Sequence, residues 1–82
     1  MHYVYIITSE IKTYTYVGMT QNLEDRINRH NLGHERTTKP YAPFKLVYQE
    51  KFKTRIEARK REKYFKSGIG REKIKSILAG SS

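Results

Sequence analysis

The chain of 82 residues contains no cysteine and no tryptophan. The lack of cysteine excludes disulfides, thiolate metal sites and cysteine nucleophiles. Long apolar runs are missing too, since the longest one covers Val4–Ile7 and a membrane helix needs about 20 residues. The N-terminus does not have the basic-then-apolar layout of a signal peptide. We therefore expect a cytoplasmic protein that does not associate with membranes.

Acidic residues are also scarce, with 8 Asp and Glu against 17 Lys and Arg and a net charge of +9. Between Lys51 and Lys75, eleven cations accompany three acids. Like charges one helical turn apart repel, as Arg55 with Arg59 and Arg59 with Lys63 would. A solvated helix face would explain a balanced run, whereas this imbalance favours contact with the phosphates of a polyanion. The expected partner is nucleic acid, either DNA or RNA, with an acidic membrane surface or an acidic protein as the alternatives.

The length indicates one domain, residues 1–82, because a second core would not fit. Residues rich in β-branched and aromatic side chains predict a strand at His2–Thr8. A second strand is predicted at Tyr14–Met19, and an imperfect alternation of apolar and polar residues predicts a third at Phe44–Phe52. The first two are separated by a polar turn and are expected to form an antiparallel hairpin.

Helix signals separate and follow these strands. Asn22 is a suitable N-cap and Gly33 a suitable stop for a first helix, and residues 34–43 form a loop with two prolines. Thr54 and Glu57 form a capping box that begins a second helix. We predict helices over about 22–33, 54–66 and 71–78, hence an α+β fold in which a three-stranded antiparallel sheet is flanked by about three helices in the order ββαβαα.

Glu62 is the acid that is hardest to explain as a surface residue. Ala58, Glu62, Phe65 and Ile69 recur at spacings of four, three and four, which places them on one helix face that should point inward. A carboxylate there costs several kcal/mol unless it is compensated. An ion pair with Arg26, a position at the fringe of the core and a metal-binding role all remain open on this evidence.

Arg26 and His30 are four residues apart and share a helix face. They lie beside the thin apolar stripe of Leu23 and Ile27, and a surface pair near the helix C-terminus would satisfy the spacing equally well. His30 and His34 resemble half of a zinc site, but Gly33 should end the helix between them and no second ligand pair follows.

The first two strands are rich in tyrosine. Alternation places Tyr3 and Tyr5 on one face of the first strand, and Tyr14 and Tyr16 on one face of the second with Gly18. Ordinary cross-strand packing would explain the tyrosines. The missing side chain of Gly18 also predicts a hollow beside Tyr16 in which a phosphate could sit.

Taken together, these residues resemble the GIY-YIG nuclease superfamily, which includes homing endonucleases and the N-terminal nuclease domain of the repair protein UvrC. The match covers nearly the whole chain and is closest to small stand-alone bacterial members. The matching residues are Tyr3-Val4-Tyr5, Tyr16-Val17-Gly18 eleven residues after Tyr5, Arg26, His30, the strand Phe44 to Tyr48, and Glu57, Ala58 and Glu62.

The resemblance implies an endonuclease that hydrolyses DNA phosphodiester bonds and a role for each matching residue. Tyr5 would be the general base on the attacking water, and Tyr16 would hydrogen-bond the phosphate or water. Arg26 would stabilise the phosphate charge, and His30 would orient a tyrosine or help deprotonate it. Glu62 would hold one Mg²⁺ or Mn²⁺, with no small-molecule cofactor.

The chemistry of this assignment depends on the metal. A phenol has a pKa of about 10, so at pH 7 about one in a thousand is ionised, a cost of roughly 4 kcal/mol. Opposite charge from the metal and Arg26 could offset that cost. The sequence therefore predicts strict metal dependence and a rate that rises with pH.

The sequence departs from the pattern at two positions: Tyr3 stands where the first motif has glycine, and no asparagine follows Glu62, since the last one is Asn31. The alternative function is a non-catalytic nucleic-acid-binding module with the same fold. The chain also carries no appended domain, so a protein partner could supply target choice. The nucleic-acid-binding residues are predicted to be Lys39, Arg55, Arg59, Lys63, Lys66, Arg71 and Lys73.

Overall fold

The computed structural model describes residues 1–79 of the chain. Strands and helices follow one another in the predicted order ββαβαα. A single 3₁₀ turn, Lys39–Tyr41, lies inside the segment predicted as a loop. The elements are β1 (His2–Ser9), β2 (Thr15–Thr20), α1 (Leu23–Asn31), β3 (Phe44–Phe52), α2 (Arg55–Lys66) and α3 (Gly68–Leu78).

The three strands form one antiparallel sheet in the order β2-β1-β3, so β1 is the central strand. In the β1–β2 register, Tyr5 lies opposite Gly18 and Ile7 lies opposite Tyr16. A bulge between Ile6 and Ile7 interrupts the pairing with β3. The predicted α+β fold, with its three-stranded sheet and three helices, is confirmed.

Alternation along β1 gives the sheet two covered faces. Val4 and Ile6 are buried against Ala58 and Phe65 of α2 and Ile74 of α3, and this side is called the α2 face. Tyr5 and Ile7 point the other way, where Leu23 and Ile27 of α1 pack, and this side is called the α1 face. Because the side chains of a strand alternate, neighbouring residues of β1 serve different compartments.

Helix α1 begins and ends as its sequence predicts. The side chain of Asn22 accepts a hydrogen bond of 3.0 Å from the backbone N–H of Asp25, which satisfies one of the free donors of the first turn. Gly33 follows the helix with a φ of 76°, a left-handed conformation that glycine adopts without strain.

Helix α2 begins at the predicted cap, where Thr54 Oγ1 accepts from the N–H of Glu57 at 3.2 Å. The last helix differs from the prediction, since it begins at Gly68 rather than near Arg71. Ser67 ends α2 and caps α3 at once, accepting from the N–H of Gly70. The predicted start near residue 71 was wrong because Ser67 caps a helix that already begins at Gly68.

The predicted inward position of Ile69 was also wrong. It belongs to α3 and is 75% exposed, so it does not continue the inward face formed by Ala58 and Phe65. None of the helices in residues 1–79 has the length and apolar character that crossing a membrane requires.

Candidate active site

Tyr5 stands at the centre of the site and is fully buried, with 0% of its surface exposed. Its hydroxyl lies over Gly18 on the edge strand β2, and a Cβ added to that glycine would collide with the Tyr5 hydroxyl and with the ring of Tyr16. The hollow predicted beside Tyr16 therefore exists, but the phenol of Tyr5 fills it. The prediction that a phosphate sits in this hollow was wrong because the cross-strand neighbour was not considered.

A chain of hydrogen bonds leads from this hydroxyl into the interior. The Tyr5 hydroxyl lies 2.8 Å from Nε2 of His30, and Nδ1 of His30 lies 2.8 Å from Oγ1 of Thr38. Thr38 Oγ1 in turn lies 3.4 Å from the backbone carbonyl oxygen of Glu35. His30 and Thr38 are each 1% exposed, so the whole chain is shielded from water.

Burial shifts both titrating groups of this chain toward their neutral forms. It raises the pKa of Tyr5, as does the neighbouring Tyr16, while the charge and hydrogen bonding of Arg26 lower it in part. Burial also lowers the pKa of His30, and the guanidinium groups of Arg26 and Arg29 act in the same direction against Glu35. A neutral phenol beside a neutral imidazole is therefore the resting state at pH 7.

His30 is the residue whose environment differs most from the alternative of a surface pair. It is buried between the rings of Tyr5, Tyr16 and Phe44, whose centroids lie 5.8, 5.1 and 5.9 Å from its own. Arg26, one turn earlier, is half-buried. The helix face that carries both residues thus points at the α1 face of the sheet, and the interpretation as a solvent-exposed pair was wrong.

Tyr16 connects the buried site with the surface. Its ring centroid lies 6.3 Å from that of Tyr5, and the residue is half-buried at the edge of the sheet. It also lines a groove of about 510 Å³ between β2 and the last two helices. Apolar side chains and three cations, Lys66, Arg71 and Lys75, line the rest of this groove.

Glu62 comes from the opposite side of the sheet. Its side chain is 16% exposed and forms ion pairs with Arg59 at 3.8 Å and with Lys66 at 3.3 Å. The suggested ion pair with Arg26 was wrong, because two cations of its own helix take that place. Ala58 and Phe65 on either side of it pack on the α2 face, so the inward orientation of this helix face is confirmed up to Phe65.

The structure thus brings Tyr5, Tyr16 and His30 together, with Arg26 near enough to act on the phenol. The ion pairs of Glu62 are with Arg59 and Lys66 and not with these residues. Lys66 lines the same groove as Tyr16. Within residues 1–79, no three His, Asp or Glu side chains are grouped so that they could hold a metal ion. The resemblance assigns the metal to the carboxylate of Glu62, and this assignment stays a prediction.

Thr38 is the residue that the sequence analysis missed. It lies in the segment between α1 and β3 that was predicted as a loop, directly after another threonine, Thr37, which is exposed. Nothing in the sequence distinguishes the two. Its burial depends on the return of the chain over α1, which only the tertiary fold specifies.

Asn31 is occupied by a structural role, since its Oδ1 accepts from the backbone N–H of Phe44 at 2.7 Å. The seven residues predicted to bind nucleic acid are all exposed, which is compatible with that role. Lys66 and Arg71 line the groove, and Arg55 lines a smaller depression beside Met19 and Thr20. The side chain of Lys39 lies against Gly33. The remaining three are Arg59 and Lys63 on α2 and Lys73 on α3.

Several known proteins are similar to this chain over most of its length. The chain is 40% identical to a UPF0213 protein of Staphylococcus saprophyticus over 80 residues, 96% of each chain. It is 42% identical to a UPF0213 protein of Staphylococcus haemolyticus over 93% of each chain. A UPF0213 protein of Clostridium perfringens is 40% identical over 99% of this chain and 87% of its own.

No solved structure shows a significant match. The family described as the GIY-YIG catalytic domain matches residues 1–75, a range that contains Tyr5, Tyr16, Arg26, His30 and Glu62. Since the match includes every element of the sheet and all the residues placed in the site, the chain belongs to the GIY-YIG nuclease domain family.

Proposed function

We propose that the protein is a metal-dependent endonuclease that hydrolyses phosphodiester bonds of DNA with Tyr5 as the general base. The observation that carries the proposal is the hydrogen bond of 2.8 Å between the Tyr5 hydroxyl and Nε2 of His30. A base must be able to lose its own proton as it takes one from water, and the phenol here has an acceptor already aligned.

The raised pKa of Tyr5 and the lowered pKa of His30 oppose formation of a free phenoxide and imidazolium. A concerted transfer avoids a free phenoxide: the attacking water gives its proton to the Tyr5 oxygen while the Tyr5 proton moves to Nε2 of His30, which becomes an imidazolium as the hydroxide attacks. Arg26 stabilises negative charge on the phosphate and on the Tyr5 oxygen. Tyr16, at the mouth of the site, holds the phosphate by its hydroxyl.

The full burial of Tyr5 requires that its oxygen becomes accessible before the reaction. The rings and side chains over it belong to the edge strand β2 and to α1, and Tyr16 is half-exposed at that edge. A small outward movement of Tyr16 would admit one water to the Tyr5 hydroxyl. Substrate binding in the groove that Tyr16 lines would favour this movement.

The residues present are compatible with one Mg²⁺ or Mn²⁺. Mg²⁺ keeps several waters and is often bound by one or two carboxylates together with substrate phosphates, so a single acid such as Glu62 is sufficient. When bound, the metal would supply positive charge beside the scissile phosphate. Lys66 and Arg59 would give up the Glu62 carboxylate and become free to contact phosphates.

The exposed cations of α2 and α3 provide the surface for the DNA backbone. Lys66 and Arg71 lie on the groove that begins at Tyr16, so a strand held by them would pass the mouth of the site. Contacts of this kind attract and orient DNA without reading its sequence. The substrate expected from this surface is therefore selected by charge, with DNA favoured over other polyanions by the family.

Nicking of supercoiled plasmid in Mn²⁺ tests the proposal. Wild-type protein should nick in Mn²⁺ or Mg²⁺ and lose activity in excess chelator. Tyr5→Phe removes the proton acceptor and should slow nicking by about 100-fold or more. Glu62→Ala removes the metal ligand and should have an effect of similar size.

Matched controls separate these effects from general damage. Tyr3→Phe removes another phenol of β1, and Glu72→Ala removes an exposed acid of α3 that is paired with Lys75. Both controls should retain nearly full activity. Unchanged nicking by both Tyr5→Phe and Glu62→Ala would contradict the assignment.

A non-catalytic nucleic-acid-binding module is the second candidate. The observation that favours it is the closed state of the site, in which Tyr5 has no exposed surface and Glu62 is held by two cations. Salt-sensitive DNA binding without nicking in Mg²⁺ or Mn²⁺ would support this candidate over the enzyme.

A further inference from the structure

We propose that Thr38 is a positioning residue that fixes the tautomer of His30 and so makes Nε2 the acceptor for the Tyr5 proton. The catalytic role of Thr38 rests on the proposed function, whereas the tautomer of His30 is a property of the resting protein. Three buried groups lie in line: the Tyr5 hydroxyl, the His30 ring and the Thr38 hydroxyl.

The direction of each hydrogen bond follows from what each group can do. The Tyr5 hydroxyl is buried and must donate its proton to an acceptor. Arg26, the other side chain that hydrogen-bonds the phenol, has donors and no acceptor, so the Tyr5 proton points to Nε2 of His30 at 2.8 Å. A neutral imidazole with unprotonated Nε2 carries its proton on Nδ1.

Thr38 is the group that makes this tautomer stable. Its Oγ1 accepts from Nδ1–H of His30 at 2.8 Å and sends its own proton toward the backbone oxygen of Glu35 at 3.4 Å. A hydroxyl can accept and donate at the same time, as this position requires. An aliphatic side chain of the same shape would leave a buried N–H without a partner, which is unfavourable.

The reaction uses the same arrangement. When the Tyr5 proton arrives at Nε2, His30 is an imidazolium with protons on both nitrogens, and Nδ1–H still donates to Thr38. The Tyr5 oxygen holds the proton taken from water, and the hydroxide bonds to phosphorus as the bond between phosphorus and the leaving oxygen breaks. Return of one proton from His30 to the leaving oxygen or to solvent restores the resting state.

The imidazole ¹⁵N chemical shifts of His30 test the proposal directly. In wild-type protein at pH 7.5, they should report a proton on Nδ1 and an unprotonated Nε2. Thr38→Ser should keep this pattern. Thr38→Val should move the proton to Nε2, because the Nδ1–H form would then be unpaired and buried.

Activity provides the second readout. Thr38→Val should lower the nicking rate by about tenfold, a smaller loss than that of Tyr5→Phe. Thr38→Ser should retain most of the wild-type rate. Raising the pH should not restore the nicking rate of Thr38→Val. His30 is already neutral in this variant, and its one proton lies on Nε2 instead of Nδ1. Thr37→Val, at the exposed neighbour, is the matched control and should leave both readouts unchanged.

The outcomes separate this proposal from the proposed function. A wild-type His30 protonated on Nε2, or a Thr38→Val variant that keeps the Nδ1 proton, would overturn the role of Thr38. If Thr38→Val does not fold, the wild-type tautomer and the Thr38→Ser spectrum still decide. Absence of nicking by wild-type protein would overturn the nuclease proposal and leave the tautomer result standing.

Discussion

At the scale of single residues, the buried pair of Tyr5 and His30, for which we propose a catalytic role, also affects the stability of the fold. Folding raises the pKa of Tyr5 and lowers the pKa of His30. Each side chain therefore stays neutral over a wider pH range in the folded protein than in the unfolded chain. The free energy of unfolding must therefore depend on pH at both ends of the accessible range.

The acid side depends on His30. Its folded pKa lies below the ordinary 6.5, so below pH 6.5 the unfolded chain binds a proton that the folded protein excludes. This contribution to stability is present above pH 6.5 and is lost as the pH falls toward the folded pKa. Denaturant unfolding between pH 7.5 and 5 should show the loss, and His30→Gln should show a shallower dependence. Equal slopes for the two proteins would contradict it.

The alkaline side depends on Tyr5. Its folded pKa lies above 10, so above pH 10 the unfolded chain releases a proton that the folded protein keeps. The stability is fully present below pH 10 and is lost as the pH rises from there. Tyr5→Phe removes this group, so its unfolding free energy should fall less steeply between pH 9.5 and 11. Tyr3→Phe provides the matched control on the same strand.

The sequence predicted which side chains of β1, β2 and α1 lie together better than it predicted their surroundings. The spacing of Tyr5, Tyr16, Arg26 and His30 matched the family, and both ends of α1 were predicted from Asn22 and Gly33. The burial of His30 was not foreseeable, because the spacing to Arg26 fits a surface pair equally well. Thr38 could not be found at all, since its contact with His30 is made by a segment without regular structure.

At the scale of elements, α3 approaches the end of α2 so closely at Gly70 that no side chain fits between the two helices. A Cβ at Gly70 would collide with the backbone oxygen of Tyr64 and the Cα of Phe65. Since both are backbone atoms, neither can yield without moving a helix. The first turn of α3 is therefore held against the last turn of α2.

Two alanine substitutions in α3 test this joint. Gly70→Ala should lower the free energy of unfolding by about 1–3 kcal/mol, as overpacking does. Gly68→Ala meets nothing within 4 Å, and should stabilise the protein by up to about 1 kcal/mol because alanine restricts the unfolded chain. Urea unfolding measures both, and similar values for the two variants would contradict the close contact.

The elements also show where local signals are sufficient. The bounds of β3 were predicted to the residue, because Pro43 precedes the strand and the helix cap at Thr54 follows it closely. The start of α3 was wrong by three residues, since the glycines at 68 and 70 indicate a break in isolation. Gly70 in fact serves helix packing, a long-range requirement that the local pattern does not contain.

At the scale of the whole molecule, the charge of +9 is displayed on exposed side chains. If six of them contact phosphates, the logarithm of the DNA-binding constant should fall with the logarithm of salt concentration at a slope of about −5. Lys66→Gln with Arg71→Gln should reduce this slope by about 2, because both line the groove at Tyr16.

Lys45→Gln with Lys51→Gln is the control that carries the same loss of charge. Both lysines are exposed on β3, at the other edge of the sheet from β2. Their removal should change the slope much less than the groove pair does. Fluorescence anisotropy with a labelled duplex measures both, and equal effects would indicate attraction by net charge without a defined binding surface.

The alternation of β1 has a consequence for how this chain can vary. Val4 and Ile6 serve one compartment, and Tyr5 and Ile7 serve the other. One inserted or deleted residue at the start of the strand would reverse the parity and turn the phenol into the aliphatic layer under α2. The polar turn between β1 and β2 can change length without that penalty, so natural length variation should accumulate there and spare residues 2–9.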